Sequence, residues 1–496
     1  MGNKQAPSSL EEPPLVSPSI APNGETASLL KISDTIQSAL IREEVPVSFR
    51  ISPRPFYLAP AEQNTLEKLG SILHLFYKSQ NKLYFESVRG QKPAWIAEYL
   101  DQGKPQQIVE TGRMNRFKSG LPGIIRPDLI LTPEGMTITE LDSVPGGFGL
   151  TGLLNETYEN AGYPIVGGSA GMTRGFGDMI LDIVSRKGPP AGKINLGIVV
   201  SEESEDYLPE MRSFAKRFTG QELSVTVLRP QELQFNEEEV FGKTGNGPVP
   251  LHAIYRFFEL FDYRNIPKND LIFYAARKGN VLITPPPKAF LEEKLWFALF
   301  HHPGLRSFWE TDLGEENFNF LSPMIPSTWI LDPRELPPYG IIPGLQFRGN
   351  AVSSWKEIYT AGQKERRYVI KPSGYSELAW GARGVKIGHD MPETEWKTAL
   401  EEGIQSFSKT PFIIQEFHQG RKVEAIYRNN GEDRLSGMTG RVRLCPYYFA
   451  SDRQVRLGGV LATVCPADKK IIHGMSDAIM APCAPAPVNP QGGVSS

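Results

Sequence analysis

The stretch IIRPDLILTPEGMTITELDSVPGGFG, residues 124–149, decides how this chain is read. Pro133-Glu134-Gly135 is a turn signal between two apolar, β-branched runs, so the pattern predicts a β-hairpin. If Thr132 pairs with Met136, Asp128 lies opposite Glu140 and Arg126 opposite Asp142. Residues two apart on a strand share a face, and so do directly opposed residues. Arg126, Asp128, Glu140 and Asp142 therefore gather on one face, with Leu129, Leu131 and Leu141 on the other. Carboxylates this close repel one another unless a cation lies among them. Mg²⁺ meets that need, because it prefers oxygen ligands and is commonly shared between a few carboxylates and nucleotide phosphates. Arg126 is then free to hold a phosphate or a substrate carboxylate. An ordinary hairpin would carry these groups as solvated charges. Here Pro145-Gly146-Gly147 follows the acids directly. Such a turn lets backbone N–H groups approach an anion, which favours a site.

The rest of the chain frames that hairpin. At 496 residues it is too long for one ordinary core, so two or three packed units are expected. With 53 Lys+Arg against 56 Asp+Glu it is near neutral, which argues against bulk nucleic-acid binding. Three cysteines exclude a disulfide scaffold and suit a reducing compartment. There is no uncharged apolar run of transmembrane length and no apolar leader, so a cytoplasmic protein with no membrane partner is expected. Residues 1–27 are expected to be a disordered leader and 481–496 a flexible tail, both being polar and proline-rich. Residues 194–232 alternate strand, helix and strand, a βαβ unit that implies a parallel sheet. The expected division is 28–190 for an N-terminal region with the hairpin, 191–290 for the βαβ domain, and 291–480 for the remaining α/β units.

Two further segments carry chemistry. In YVIKPSGYSELAWGARGVKIG, residues 368–388, a strand ends at Lys371 and a loop with Gly374, Gly381 and Gly384 follows. A glycine loop lets backbone close over phosphates, and a strand-end lysine is a fixed charge for them. The spacing is neither a Walker A motif nor GxGxxG, and an ordinary hairpin with a lysine at its rim fits it equally well. FIIQEFHQG, residues 412–420, reads alone as a buried strand with a polar end.

Taken in order, lysine, glycine loop and QEF strand resemble the nucleotide pocket of ATP-grasp enzymes. Glu-x-Asp followed by Pro-Gly-Gly resembles that family's metal-binding strand, which normally comes last. Here it precedes Lys371, so the chain resembles the circularly permuted ATP-grasp group that includes the synthetase domain of glutathionylspermidine synthase. The resemblance covers roughly residues 100–480, in fragments. It implies an α/β (α+β) ATP-grasp fold, circularly permuted, with an additional βαβ, pre-ATP-grasp-like unit. It implies Mg²⁺ held by Asp128, Glu140 and Asp142, with Asp142 standing where the family usually has Asn. ATP would be bound by Lys294, Lys371, the loop glycines Gly374, Gly381 and Gly384, and the hinge residues Gln415, Glu416 and Phe417. Arg126 and either Arg441 or Arg443 would stabilise the transferring phosphate. IYRFFELFD, residues 254–262, resembles the family's Tyr-Arg strand. No amidase segment is seen, so the polyamine substrate does not carry over with the rest.

The implied activity is ATP-dependent ligation of a small-molecule or peptide carboxylate to an amine through an acyl phosphate. The alternatives are a nucleotide-binding protein without ligase activity and a phosphotransferase. Other candidates are weaker. Cys445, Cys465, His473 and Cys483 lack a Cys-x-x-Cys pair and read as structural rather than as a zinc set. His301 and His302 suit a helix end. GGSAGMTRGFG, residues 167–177, reads as a flexible lid or substrate loop.

Overall fold

A computed structural model describes residues 23–186, 188, 192–379, 381–429, 432–451, 454–474 and 476–487. Most of the leader and the last nine residues lie outside that range, as does Trp380 of the glycine loop. The fold is mixed α/β, with helices packed on several sheets.

The largest sheet has seven strands and is almost wholly antiparallel. Strand Leu435–Ala450 is its spine, pairing with Lys422–Arg428, with Val455–Pro466 and with the hairpin strand Ile124–Thr132. The hairpin therefore shares a sheet with strands some 300 residues later, across the boundaries expected from sequence. Both faces of the spine are covered, so its residues from Arg441 to Ala450 are nearly all buried, with no alternation between an inner and a solvent face. The 29-residue helix Pro60–Val88 covers one face. It approaches closely because Gly70 stands where any Cβ would meet the Tyr448 ring at 2.3 Å. Helices Phe148–Asn160 and Gly171–Ser185 cover the other face.

The stretch 167–177 corrects the loop reading. From Gly171 onward it is helix. A Cβ at Gly171 would lie 2.3 Å from the Gly458 carbonyl, and one at Gly175 would lie 2.3 Å from Phe449. These glycines serve helix-to-sheet contact rather than loop freedom. The termini need correction as well. Helix Asn23–Arg42 begins inside the expected leader. Residues 481–485 of the expected tail belong to strand Ile479–Pro485, which pairs with Val455–Pro466 and with Phe56–Leu58. Ala481, Pro482 and Ala484 are small residues buried beside neighbouring strands, with Cys483 fully covered.

A second sheet is all parallel, in the order Leu282–Thr284, Ala253–Phe257, Ile194–Val200, Leu223–Leu228. A third is antiparallel, in the order Thr328–Ile330, Phe412–Glu416, Tyr368–Pro372, Lys386–Ile387. Among the described residues no helix is long and apolar enough to cross a membrane.

Candidate active site

The hairpin, the carboxyl ends of the parallel strands and the third sheet together enclose a cavity of about 800 Å³. The hairpin reaches its charged face by a route the sequence reading did not anticipate. At the turn Thr132 pairs with Gly135, not Met136, and this register runs to Leu129 opposite Ile138. A bulge then leaves Thr139 unpaired, and from there Asp128 faces Glu140 and Arg126 faces Asp142. One extra residue re-aims every side chain beyond it, as bulges beside sites commonly do. The released Thr139 carbonyl accepts a hydrogen bond from Lys371 Nζ at 2.7 Å.

The acids are held by cations. Arg126 Nη2 lies 3.1 Å from Asp128 Oδ1 and 2.9 Å from Asp142 Oδ2. Arg443 Nη1 lies 2.8 Å from Asp128 Oδ2, and Lys294 Nζ lies 2.6 Å from Glu140 Oε1. Burial works to raise the Asp128 pKa, but Arg126 and Arg443 hold it below the usual carboxylate range. Asp142 sits above that range because burial and Glu140 outweigh Arg126. Burial pushes the Lys371 ammonium down to about 8, with Lys294 adding to it against the pull of Glu140. Lys294 is equally buried, yet Glu140 keeps it above its ordinary value.

The two lysines come from segments tied together by Ser373. Its carbonyl accepts from Lys294 N at 2.9 Å and its Oγ from Leu295 N at 2.8 Å. The same hydroxyl donates to Glu293, whose other oxygen is 2.5 Å from Lys104 Nζ in a pair with both side chains 1% exposed. This knot fixes the spacing of Lys294 and Lys371. Gly374 and Gly381 line the cavity, and a Cβ at Gly374 would press on the Glu292 carbonyl at 2.7 Å. Gly384 does not line it. There a Cβ would meet Leu378 O and Pro372, so its role is to let the loop fold on itself.

Gln415, Glu416 and Phe417 form one wall. Gln415 is committed inward, donating to Thr328 Oγ1 at 3.0 Å. The N–H groups of Glu416 and Phe417 donate to Ser327 and Arg367 carbonyls, so neither is spare for a base. Of the two arginines left open by sequence, Arg441 donates to the carbonyls of Gly420 and Ala467, which makes it a main-chain clamp. Arg443 is the one that joins the acidic cluster.

Several cavity residues were missed. Glu210 accepts the N–H groups of Gly147 at 2.8 Å and Leu150 at 2.9 Å, so the Pro-Gly-Gly turn meets an internal carboxylate rather than a ligand. Burial raises Glu210 to about 7 even against those two hydrogen bonds. A carboxyl whose folded pKa is raised stabilises most below its unfolded pKa and loses that contribution as pH climbs through the folded one. Glu210→Gln should therefore become relatively more stable by about 2 kcal/mol between pH 5 and 7. Urea midpoints of both proteins across that window test this, and parallel curves would contradict it. Glu259 and Glu292 also line the cavity. Burial and the neighbouring Glu292 and Asp142 push Glu259 well above the carboxylate range. Glu292 pairs with the fully buried Arg256. Glu259 follows the carboxyl end of a parallel strand, where ligands of α/β sheets bind, and that signal was available in the sequence.

As they stand, no three His, Cys, Asp or Glu side chains among the described residues converge enough to hold a metal. At the hairpin Arg126 bridges Asp128 and Asp142, and Lys294 pairs with Glu140. The donor set still fits a divalent cation that arrives with phosphate. The three acids are hard oxygen donors on one wall, and the buried Nε atoms of Arg126 and Arg443 have no hydrogen-bond partner.

No family model matches the chain, and no curated protein matches its sequence. Solved structures do match. A glutathione synthetase-like effector from Globodera pallida, in its apo form, superposes with a TM-score of 0.55 at 11% identity, covering 95% of this chain and 100% of that one. A Methylobacillus flagellatus protein provisionally assigned as a gamma-glutamylcysteine synthetase superposes with a TM-score of 0.38 at 12% identity, covering 77% and 85%. The first likeness shows a shared fold across nearly the whole chain. The second is too loose to carry an argument.

Proposed function

We propose that this protein is an ATP-dependent carboxylate–amine ligase of the circularly permuted ATP-grasp kind, related in design to glutathionylspermidine synthase. The observation that carries the reading is the meeting, in one cavity, of the acidic hairpin face with two lysines from segments 150–230 residues later. A hairpin early in the chain that completes a sheet of late strands is what a permuted order requires.

In this reading Lys294 and Lys371 bind the ATP phosphates. The 415–417 wall takes the adenine through groups other than the two N–H donors already used. Arg126 and Arg443 balance charge on the phosphoryl group as it moves to the substrate carboxylate. Mg²⁺ bound by Asp128, Glu140 and Asp142 would supply further charge neutralisation there. The 373–384 loop keeps water from the acyl phosphate, and positioning contributes the rest. Arg441 holds the Gly420 and Ala467 segments beside this centre.

The test is a coupled assay for ADP release over panels of carboxylic acids and amines, with Mg²⁺ present. ADP release that needs both an acid and an amine supports the ligase. Release with an acid alone makes the protein a phosphotransferase, and nucleotide binding without release makes it a non-catalytic binder.

A further inference from the structure

We propose that Arg126, with Lys294, makes the acidic face selective for a divalent cation delivered with phosphate, by occupying the cation's seats in the free protein. The inference rests on the ligase reading for the presence of a metal at the hairpin.

Its basis is how fully the acids are already partnered. Asp128 spends both oxygens on Arg126 and Arg443. Asp142 spends one on Arg126 and the other on the Val144 N–H at 2.8 Å. Glu140 spends one on Lys294. Five of the six carboxylate oxygens thus have a cationic or N–H partner. Each of the three carboxylates thus already has a cation in direct contact.

A bare divalent ion entering this face would displace Arg126, whose side chain is 14% exposed, and strand its charge out of water. A metal–polyphosphate complex brings both signs. Each internal pair can then be exchanged, carboxylate to metal and guanidinium or ammonium to phosphate, with no buried charge left alone. The unpartnered Nε of Arg126 is a further donor for that phosphate. The two ligand charges are therefore coupled through Arg126, and such coupling is reciprocal.

Arg126→Met should move the two affinities in opposite directions. Titration with Mn²⁺, followed by the loss of the free-ion electron paramagnetic resonance signal, should show at least tenfold tighter uptake of bare Mn²⁺ than wild type. The same variant should bind Mn²⁺–ADP at least tenfold more weakly. A merely structural role would weaken both. No gain in bare Mn²⁺ affinity would overturn the proposal. Lys294→Met, which frees Glu140, carries the same expectation and serves if Arg126→Met does not fold. The bare-metal arm needs no nucleotide. If wild type ignores Mn²⁺–ADP while Arg126→Met gains Mn²⁺, the ligase reading and the selectivity for a phosphate-borne cation fall together, and only the occupation of the cation's seats by Arg126 stands. If wild type takes Mn²⁺–ADP and neither variant gains Mn²⁺, the exchange falls and the ligase reading stands.

Discussion

Glu140→Ala is expected to lower ligase turnover by a factor of about 100 to 1,000, the scale on which single charge-stabilising groups act in transition states. The residue joins both halves of the site. It is one of the hairpin carboxylates and the ion-pair partner of Lys294. Its removal leaves the lysine without its counter-charge and, in the proposed reaction, would take a ligand from Mg²⁺. The fold should survive. The Glu140 side chain is 36% exposed, so water can reach Lys294 in its place. The stability cost should stay within about 1–2 kcal/mol, between the exposed and buried limits for ion pairs. Turnover within twofold of wild type, from a variant that melts normally, would remove the hairpin from the active site.

Arg256→Met is expected to have the largest effect on stability, a loss of about 3–5 kcal/mol, typical of removing one partner of a buried ion pair. Arg256 has no exposed surface. Its guanidinium donates to the carbonyls of Phe258, Pro285 and Pro286 and pairs with Glu292. Methionine fills much of the volume but leaves Glu292 and the carbonyls of Phe258 and Pro285 without this donor, while the Pro286 carbonyl keeps the Lys288 N–H. The strand Ala253–Phe257 and the cavity wall at Glu292 should loosen together. Adding Glu292→Gln should restore part of the loss, because it removes the stranded charge. Urea midpoints for the two single variants and the double variant measure this. A loss below about 1 kcal/mol in Arg256→Met would mean that the pair is not structural.

What could be read from sequence divides along physical lines. The charged face at 126–142 was legible because Arg126 and Asp128 share one face of their strand and Glu140 and Asp142 one face of theirs, and only the register that opposes them brings the two pairs together. The bulge at Thr139 was not, because a single unpaired residue leaves no mark on composition or periodicity. The assumed Thr132–Met136 pairing put the right residues opposite each other, although the real turn pairs Thr132 with Gly135. Glycine was the least reliable guide. Gly171 and Gly175 look like loop and prove to be close helix packing, Gly384 folds the loop rather than facing the cavity, and Gly147 donates to Glu210. Glu210 lies more than 60 residues from the turn it caps, so only tertiary structure could pair them. Arg441 and Arg443 were indistinguishable by pattern, since both lie on one strand and line the cavity. Their partners separate them, main-chain carbonyls for one and Asp128 for the other. Residues 481–485 read as tail because proline and alanine look polar-linker-like, yet small side chains are what an inner strand between close neighbours accepts.

The most direct test of the central claim is a crystal structure of the wild-type protein grown with Mg²⁺ and a non-hydrolysable ATP analogue. The account predicts adenine against the 415–417 wall and phosphates at Lys294 and Lys371. It also predicts the metal at Asp128, Glu140 and Asp142, with Arg126 turned from the acids to phosphate. A nucleotide bound elsewhere, or an empty cavity with Arg126 still paired to Asp128 and Asp142, would contradict it.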